Sequence, residues 1–339
     1  MNIEVSQLAK TLFFCLLALF FVFCGSAAMV IYLIKHRVEG KYFDSNGVRI
    51  HYNVEGEGEP VVLIHGFAVN GDINWRLPGI TEALKKNFRV ITMDLRGHGL
   101  SDKPHDATQY GLEMVKDILR LLERLEIKRA HLVGYSLGGF IVLKLASTLP
   151  ERLISAAVLG AGWEPADNNT FEQALFKIAD SLESGKTIGP ISGHLGPKPR
   201  KPSLVHTWGV KIMTGYFNDK MALAAMIRSI PKFAPSEESL QNISVPLCII
   251  VGSLDPFKSS AEAMAGRLKD YQLIIVERAD HIRTLTRKET LDSLRRFLIQ
   301  HWGRWSEQAN NARMAHSACE QDVRDEMSGE TKRSMEHRA

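Results

Sequence analysis

Between Tyr42 and Trp302 short, densely apolar runs alternate with amphipathic ones. VVLIHGF (61–67), FRVITMDL (88–95), AHLVGY (130–135), ISAAVLGAG (154–162), LCIIVG (247–252) and LIIVER (273–278) are rich in β-branched residues and leucine. They show little polar alternation, as expected of strands covered on both faces. Helical spacing falls between them, near Ile80–Lys86, Leu112–Leu125, Leu137–Thr148, Ala261–Leu268 and Glu289–Trp302. Strand and helix in strict alternation predict an α/β fold with a mostly parallel central sheet flanked by helices. Upstream, YFDSNGVRIHYNVEG (42–56) alternates about Asn46-Gly47, a two-residue turn signal that predicts a hairpin.

The alternation stops between Trp163 and Glu237. FEQALFKIADSL (171–182) and KMALAAMIRSI (220–230) are helical in pattern, GHLGPKPRKPS (193–203) is a basic Pro/Gly loop, and no strand pair stands out. An inserted helical cap over 163–237 is expected, splitting the core into 40–162 and 238–304. Residues 305–339 carry mixed charge with few large apolar side chains and no period, and a disordered tail is expected there.

Thr11 to Ile34 is a run of 24 uncharged residues, long enough as a helix at about 1.5 Å per residue to cross a hydrocarbon core. It predicts one N-terminal transmembrane anchor over 11–34. The alternative is a cleaved signal peptide leading to secretion, since GSAA around Ser26 offers small residues, but MVIYLI continues apolar beyond them. Lys35, His36, Arg37 and Lys41 follow the span, whereas Lys10 before it is offset by Glu4. That bias places the main domain in the cytoplasm.

Composition narrows the partners. With 45% apolar and 24% charged residues and a net charge of +4 over 339 residues, the chain carries no basic footprint for nucleic acid and no ligand cluster for a metal. Cys15, Cys24, Cys248 and Cys319 are too scattered for a disulfide framework. No cofactor is expected; the expected partners are a small-molecule or lipid ester and a membrane.

The chemistry gathers at Gly134-Tyr135-Ser136-Leu137-Gly138, between a strand pattern and a helix pattern. A hydroxyl must project from the fold and meet a base before it can attack. A tight strand-to-helix turn does the first, and glycines on either side leave room for the close backbone approach this requires. The same turn aims the N–H of Leu137, at a helix N-terminus, toward an oxygen held near the serine.

In this context the chain resembles the α/β-hydrolase family over about Tyr42 to Trp302. HGF (65–67), DLRGHGLSD (94–102), GYSLGG (134–139), VGSLDPF (251–257) and ADH (279–281) stand in the order that family uses. The resemblance implies Ser136 as nucleophile, Asp255 as the acid after a late strand, and His281 as general base after the last strand. It implies an oxyanion hole from the backbone N–H groups of Phe67 and Leu137, and structural roles for His65, Asp94, Arg96, His98 and Asp102. From position alone, Asp255 could instead cap the helix that follows, and His281 could be one of twelve surface imidazoles. Asp280, Glu164 and Asp167 remain rival acids.

A serine at the elbow, where dehalogenases and epoxide hydrolases of this family carry aspartate, argues for attack on a carbonyl. The expected activity is hydrolysis of a carboxylic ester, lipase-like and near a membrane. A C–C bond hydrolase or perhydrolase and a non-catalytic binding scaffold are the alternatives.

Overall fold

The computed structural model describes residues 13–15, 17, 18, 25, 40–165, 168–186, 218–268 and 270–303. Among them β1 (Lys41–Asp44), β2 (Arg49–Glu55), β3 (Glu59–Ile64), β4 (Phe88–Met93), β5 (Ala130–Tyr135), β6 (Leu153–Leu159), β7 (Leu247–Gly252) and β8 (Tyr271–Val276) form one sheet. Their order is β1-β2-β4-β3-β5-β6-β7-β8. The β1–β2 and β2–β4 pairs are antiparallel, and all the remaining pairs are parallel. Asn46 and Gly47, both at positive φ, turn the β1–β2 hairpin, and Ser45 and Val48 close it with reciprocal backbone bonds. That is the twist-matched turn the Asn-Gly pair predicts.

Helices fill the crossovers: α1 (Ile80–Leu84), α2 (Leu112–Arg124), α3 (Leu137–Thr148), α4 (Asn169–Glu183), α5 (Lys220–Ile227), α6 (Glu237–Gln241), α7 (Lys258–Glu262), α8 (His281–Thr286) and α9 (Lys288–Gln300). The period of two along the strands divides the core. Val62, Ile64, Leu132 and Ile249 join the cluster containing Ile118 of α2 and Ile141 of α3. Val61, Leu63, Val133 and Ile250 face the other way, with Leu84 of α1 and Phe297 of α9. Every residue of β5, β6 and β7 is buried, which explains why these runs are densely apolar and show little polar alternation. Each large aliphatic side chain so covered contributes about 1.5 to 3 kcal/mol.

The helix expected at Ala261–Leu268 begins earlier, at Lys258, and ends at Glu262. Beyond it Met264, Ala265 and Arg267 donate to carbonyls three residues back, so the segment tightens into turns before Gly266 at φ +77° ends it. His281, expected only to follow the last strand, is the first residue of a helix, α8, whose N-cap is Asp280.

In the 163–237 stretch, α4 and α5 match the two helical patterns, and no strand occurs among its described residues. The basic loop 193–203, the 305–339 tail and most of 11–34 lie outside the described residues. No helix among the described residues is long and apolar enough to cross a membrane.

The sheet order fixes where a ligand can sit. The chain leaves β3 to one side for β4, then crosses back to pair β5 on β3's other side. At such a reversal the loops leaving the two strands part, and a crevice opens beyond the strands' carboxyl ends. The segments after β3 and β5 are His65-Gly66-Phe67 and Ser136.

Candidate active site

Ser136 lies between β5 and α3 at φ +53°, ψ −112°, a strained conformation for a residue with a side chain. Its N–H donates to the Leu159 carbonyl at 2.8 Å, and its carbonyl accepts from Phe140 N–H at 3.1 Å. These bonds to a neighbouring strand and to α3 hold the strain in place. The flanking glycines are sterically required. A Cβ on Gly134 would lie 2.1 Å from the Gly138 carbonyl oxygen, and one on Gly138 would lie 2.1 Å from that of Ile64.

Two later strands deliver the partners. Gly252 and Val276 are level at the ends of β7 and β8. Asp255 follows in the loop after β7, and His281 opens α8 after β8. Leu254 N–H donates to the Ala279 carbonyl at 3.0 Å, and Ser253 N–H to that of Val276 at 2.9 Å, so the two loops travel together. His281 Nδ1 donates to Asp255 Oδ2 at 2.9 Å, and Ser136 Oγ donates to His281 Nε2 at 3.1 Å. One imidazole thus bridges a hydroxyl and a carboxylate. The Asp255 side chain is fully covered, while that of His281 keeps 15% exposure, so the carboxylate is shielded from solvent and the imidazole is not. Asp255 Oδ1 accepts from Phe257 N–H at 3.0 Å. That bond closes a local turn before α7, whose N-cap is Phe257 and has no side-chain cap, so the helix-capping role considered for Asp255 is not the one it plays.

The imidazole is also held by its faces. The Tyr135 ring stacks on it at 5.1 Å between centroids with an interplanar angle of 29°. Phe257 packs against it at 5.6 Å, and the Tyr135 hydroxyl donates to the His281 carbonyl at 2.7 Å. Sequence reasoning did not single out Tyr135, Phe257 or Asn74, whose Oδ1 accepts from Gly66 N–H at 2.7 Å. Only Tyr135 carried a signal, as the residue directly before the serine.

The register places Ile64 opposite Gly134, so Phe67 and Leu137, three residues further along each chain, leave adjacent strand ends. Neither N–H donates to a protein acceptor among the described residues, which leaves two amides available to an anionic oxygen. The turn bearing Phe67 is secured on several sides. His65 Nδ1 donates to the Gly66 carbonyl at 2.7 Å, and its Nε2 accepts from Leu95 N–H at 2.9 Å. Asn218 Nδ2, just before α5, donates to the Ala68 carbonyl at 3.1 Å.

The 94–102 segment is scaffolding. Asp94 accepts from Gly71 and Leu100 N–H and meets His51 Nδ1. Although burial raises its pKa, these bonds outweigh that and bring its carboxyl down to about 2. Arg96 forms a fully buried bidentate pair with Asp117, and Asp102 accepts from Arg49 N–H. His98 is completely buried with its Nδ1 on the Arg96 carbonyl. Burial first, then the neighbouring His65, pushes it down to about 3, so it stays neutral. Among the rival acids, Asp280 caps α8 by accepting from Arg283 N–H. Glu164 bonds Ser260 and Asn168, and Asp167 lies outside the described residues.

A cavity of about 20 Å³ lies between α3 and α4, lined by Phe140, Glu164, Asn168, Phe171 and Ile230. It has room for about one water, and neither Ser136 nor His281 lines it. No group of three or more candidate metal ligands occurs among the described residues.

Comparison with known proteins agrees with this architecture. The alpha/beta hydrolase fold family matches residues 59–183. The chain is 27% identical to a putative non-heme chloroperoxidase of Synechocystis, over 74% of this chain and 95% of that protein. It is 28% identical to a pimeloyl-[acyl-carrier protein] methyl ester esterase of Aliivibrio fischeri, over 74% of this chain and 98% of that protein. Among solved structures, a meta-cleavage product hydrolase of Pseudomonas fluorescens superimposes with a TM-score of 0.60 at 25% identity, covering 77% of this chain and 97% of that one. Three different reactions are named among three similar proteins, so likeness alone selects the fold, not a reaction or a substrate.

Proposed function

We propose that this chain, which carries the α/β-hydrolase fold, is a serine hydrolase that cleaves a carboxylic ester through an acyl-enzyme. The observation that carries the proposal is the bridging position of His281, within hydrogen-bond reach of both Ser136 Oγ and Asp255 Oδ2. As Ser136 attacks the ester carbonyl carbon, its proton passes to His281 Nε2. The tetrahedral oxyanion that forms is held by the N–H groups of Phe67 and Leu137. Collapse expels the alcohol, which takes the proton from His281. Water then repeats the sequence on the acyl-serine and releases the carboxylic acid. Asp255 keeps the proton of neutral His281 on Nδ1 and stabilises the imidazolium that forms transiently.

A C–C bond hydrolase or perhydrolase is the second reading. The likeness to a meta-cleavage product hydrolase and to a non-heme chloroperoxidase favours it, and the same three side chains serve both chemistries. A non-catalytic scaffold has less support, because all three groups needed for turnover are within bonding distance. Serine in place of aspartate at the elbow disfavours epoxide opening.

On the same reading the uncharged run 11–34 anchors the domain at a membrane, supported by its length, and the basic residues after it favour the cytoplasmic side. A lipid ester would then be within reach of the site. The deciding experiment presents full-length protein with esters of rising acyl length, β-diketone-type substrates, and acetate with peroxide. Turnover of esters with kcat/KM well above that for the other two classes supports the proposal. Preference for either of the others replaces it.

A further inference from the structure

We infer that Tyr135 is a positioning residue for His281, locking the imidazole from its face and from its backbone while standing directly before Ser136 in the chain. This rests on the reading of Ser136 and His281 as nucleophile and base. The phenol oxygen reaches the His281 carbonyl at 2.7 Å, and the ring lies nearly parallel to the imidazole. Two contacts on one residue fix a side chain better than either alone. The hydroxyl sets where α8 begins, and the ring removes the rotation about χ2 that would swing Nε2 away from Ser136 Oγ. A serine–histidine pair needs this, because a misplacement of about 1 Å can cost on the order of a hundredfold in rate.

The slot that holds the ring is shaped for it. A Cβ on Gly66 would come 3.0 Å from Tyr135 Cδ1, and one on Gly160, at φ +58°, 3.0 Å from Tyr135 Cε2 and 3.2 Å from His281 Cε1 and Nδ1. Strand ends β3 and β6 therefore press the phenol from two sides through residues without side chains. Gly160 is itself fixed by donating to the Ile250 carbonyl at 2.9 Å. The ring is 6% exposed. Burial, with Asp255 and Asp280 nearby, raises its phenol well above the ordinary range, so the hydroxyl remains a donor throughout the working pH range. Since Tyr135 and Ser136 are consecutive, any shift of β5 moves nucleophile and imidazole support together, and their relative geometry is preserved.

The test compares wild type, Tyr135→Phe and Tyr135→Leu as full-length proteins. It measures kcat and KM on the best ester substrate, and water exchange of the His281 Nδ1–H proton resonance, assigned by its loss in His281→Ala. For Tyr135→Phe the expected result is a kcat lower by about tenfold with KM within about twofold, and Nδ1–H exchange faster by about tenfold. Tyr135→Leu, which loses the ring as well, should fall about tenfold further in kcat. A purely structural role would lower the melting temperature without separating kcat from KM. Wild-type kcat together with wild-type exchange in Tyr135→Phe overturns the inference. If Tyr135→Leu fails to fold, Tyr135→Phe decides alone. If the wild type turns over no ester, the ester reading fails, while the exchange comparison still decides whether Tyr135 holds the imidazole.

Discussion

Ser136 Oγ and His281 Nε2 lie 3.1 Å apart although 145 positions separate them in the chain. Nothing local brings them together. Their meeting depends on β5 and β8 lying in one sheet with all the loops in question leaving the same edge. Disturbing that edge should therefore alter activity before it alters the fold, and disturbing the packing beneath it should do the reverse.

Asp255→Asn tests the carboxylate. The amide can keep the bond from Phe257 N–H, so the loop should hold its shape and the melting temperature should stay within a few degrees of wild type. The imidazole loses its anionic partner and the tautomer it enforces. A fall in kcat of about 10⁴-fold is expected, read by steady-state ester hydrolysis. An activity within tenfold of wild type would return Glu164 to consideration as the acid.

Gly138→Ala tests the elbow's steric logic. The new Cβ would lie 2.1 Å from the Ile64 carbonyl oxygen and 2.9 Å from that of His65, and a strand backbone cannot give way cheaply. A loss of at least about 3 kcal/mol in urea unfolding is expected. Gly185→Ala provides the contrast. Unlike Gly138 it has positive φ, at +77°, and nothing lies within 4 Å, so about 1 kcal/mol of left-handed strain is the whole cost.

His98 makes stability pH-dependent in a defined direction. Its folded pKa is near 3 against 6.5 when unconstrained, so below pH 6.5 the unfolded chain binds a proton that the folded chain refuses. The stabilisation is complete above pH 6.5 and is lost as pH falls toward 3. Between pH 7.5 and 4.5 wild type should lose about 2 to 3 kcal/mol more than His98→Asn in urea unfolding. His65, shifted the same way by burial, adds its own acid loss in both proteins, and its coupling to His98 is part of the difference measured. Parallel acid limbs in the two would show that His98 titrates freely.

The anchor is tested on the full chain by membrane sedimentation and carbonate extraction. Wild type should resist extraction. Replacing Leu17 and Val22 with arginine, each costing about 2.5 to 3.5 kcal/mol at a helix centre, should release the protein while ester hydrolysis persists. Release of wild type by carbonate would remove the anchor.

Much of this architecture was legible in the chain because buried parallel strands leave an unmistakable signature. β5, β6 and β7 are buried at every position because both faces are covered, and the polar pair among them, His131 and Ser155, bond each other at 2.7 Å. Asn46-Gly47 announced its turn because few other pairs tolerate two positive φ values. Ser136 was legible for the same kind of reason, since Gly134 and Gly138 have no room for a side chain. The start of α8 at His281 was not, because Asp280 caps it through a bond to Arg283 that looks like any surface aspartate in sequence. The tightening after Glu262 escaped for want of a breaker before Gly266. Tyr135 stands beside the serine in the chain, but its role was not legible: its partner is a main-chain carbonyl 146 residues away, and a backbone acceptor leaves no trace in the residue type that bears it.

Reaction of the full-length protein with a fluorophosphonate, followed by mass mapping of the adduct, addresses the hydroxyl–imidazole pair most directly. One phosphonyl group on Ser136 is predicted, absent from Ser136→Ala and slowed by several orders of magnitude in His281→Ala. A folded wild-type protein that never takes up the probe, or takes it up at equal rate without His281, would contradict the account.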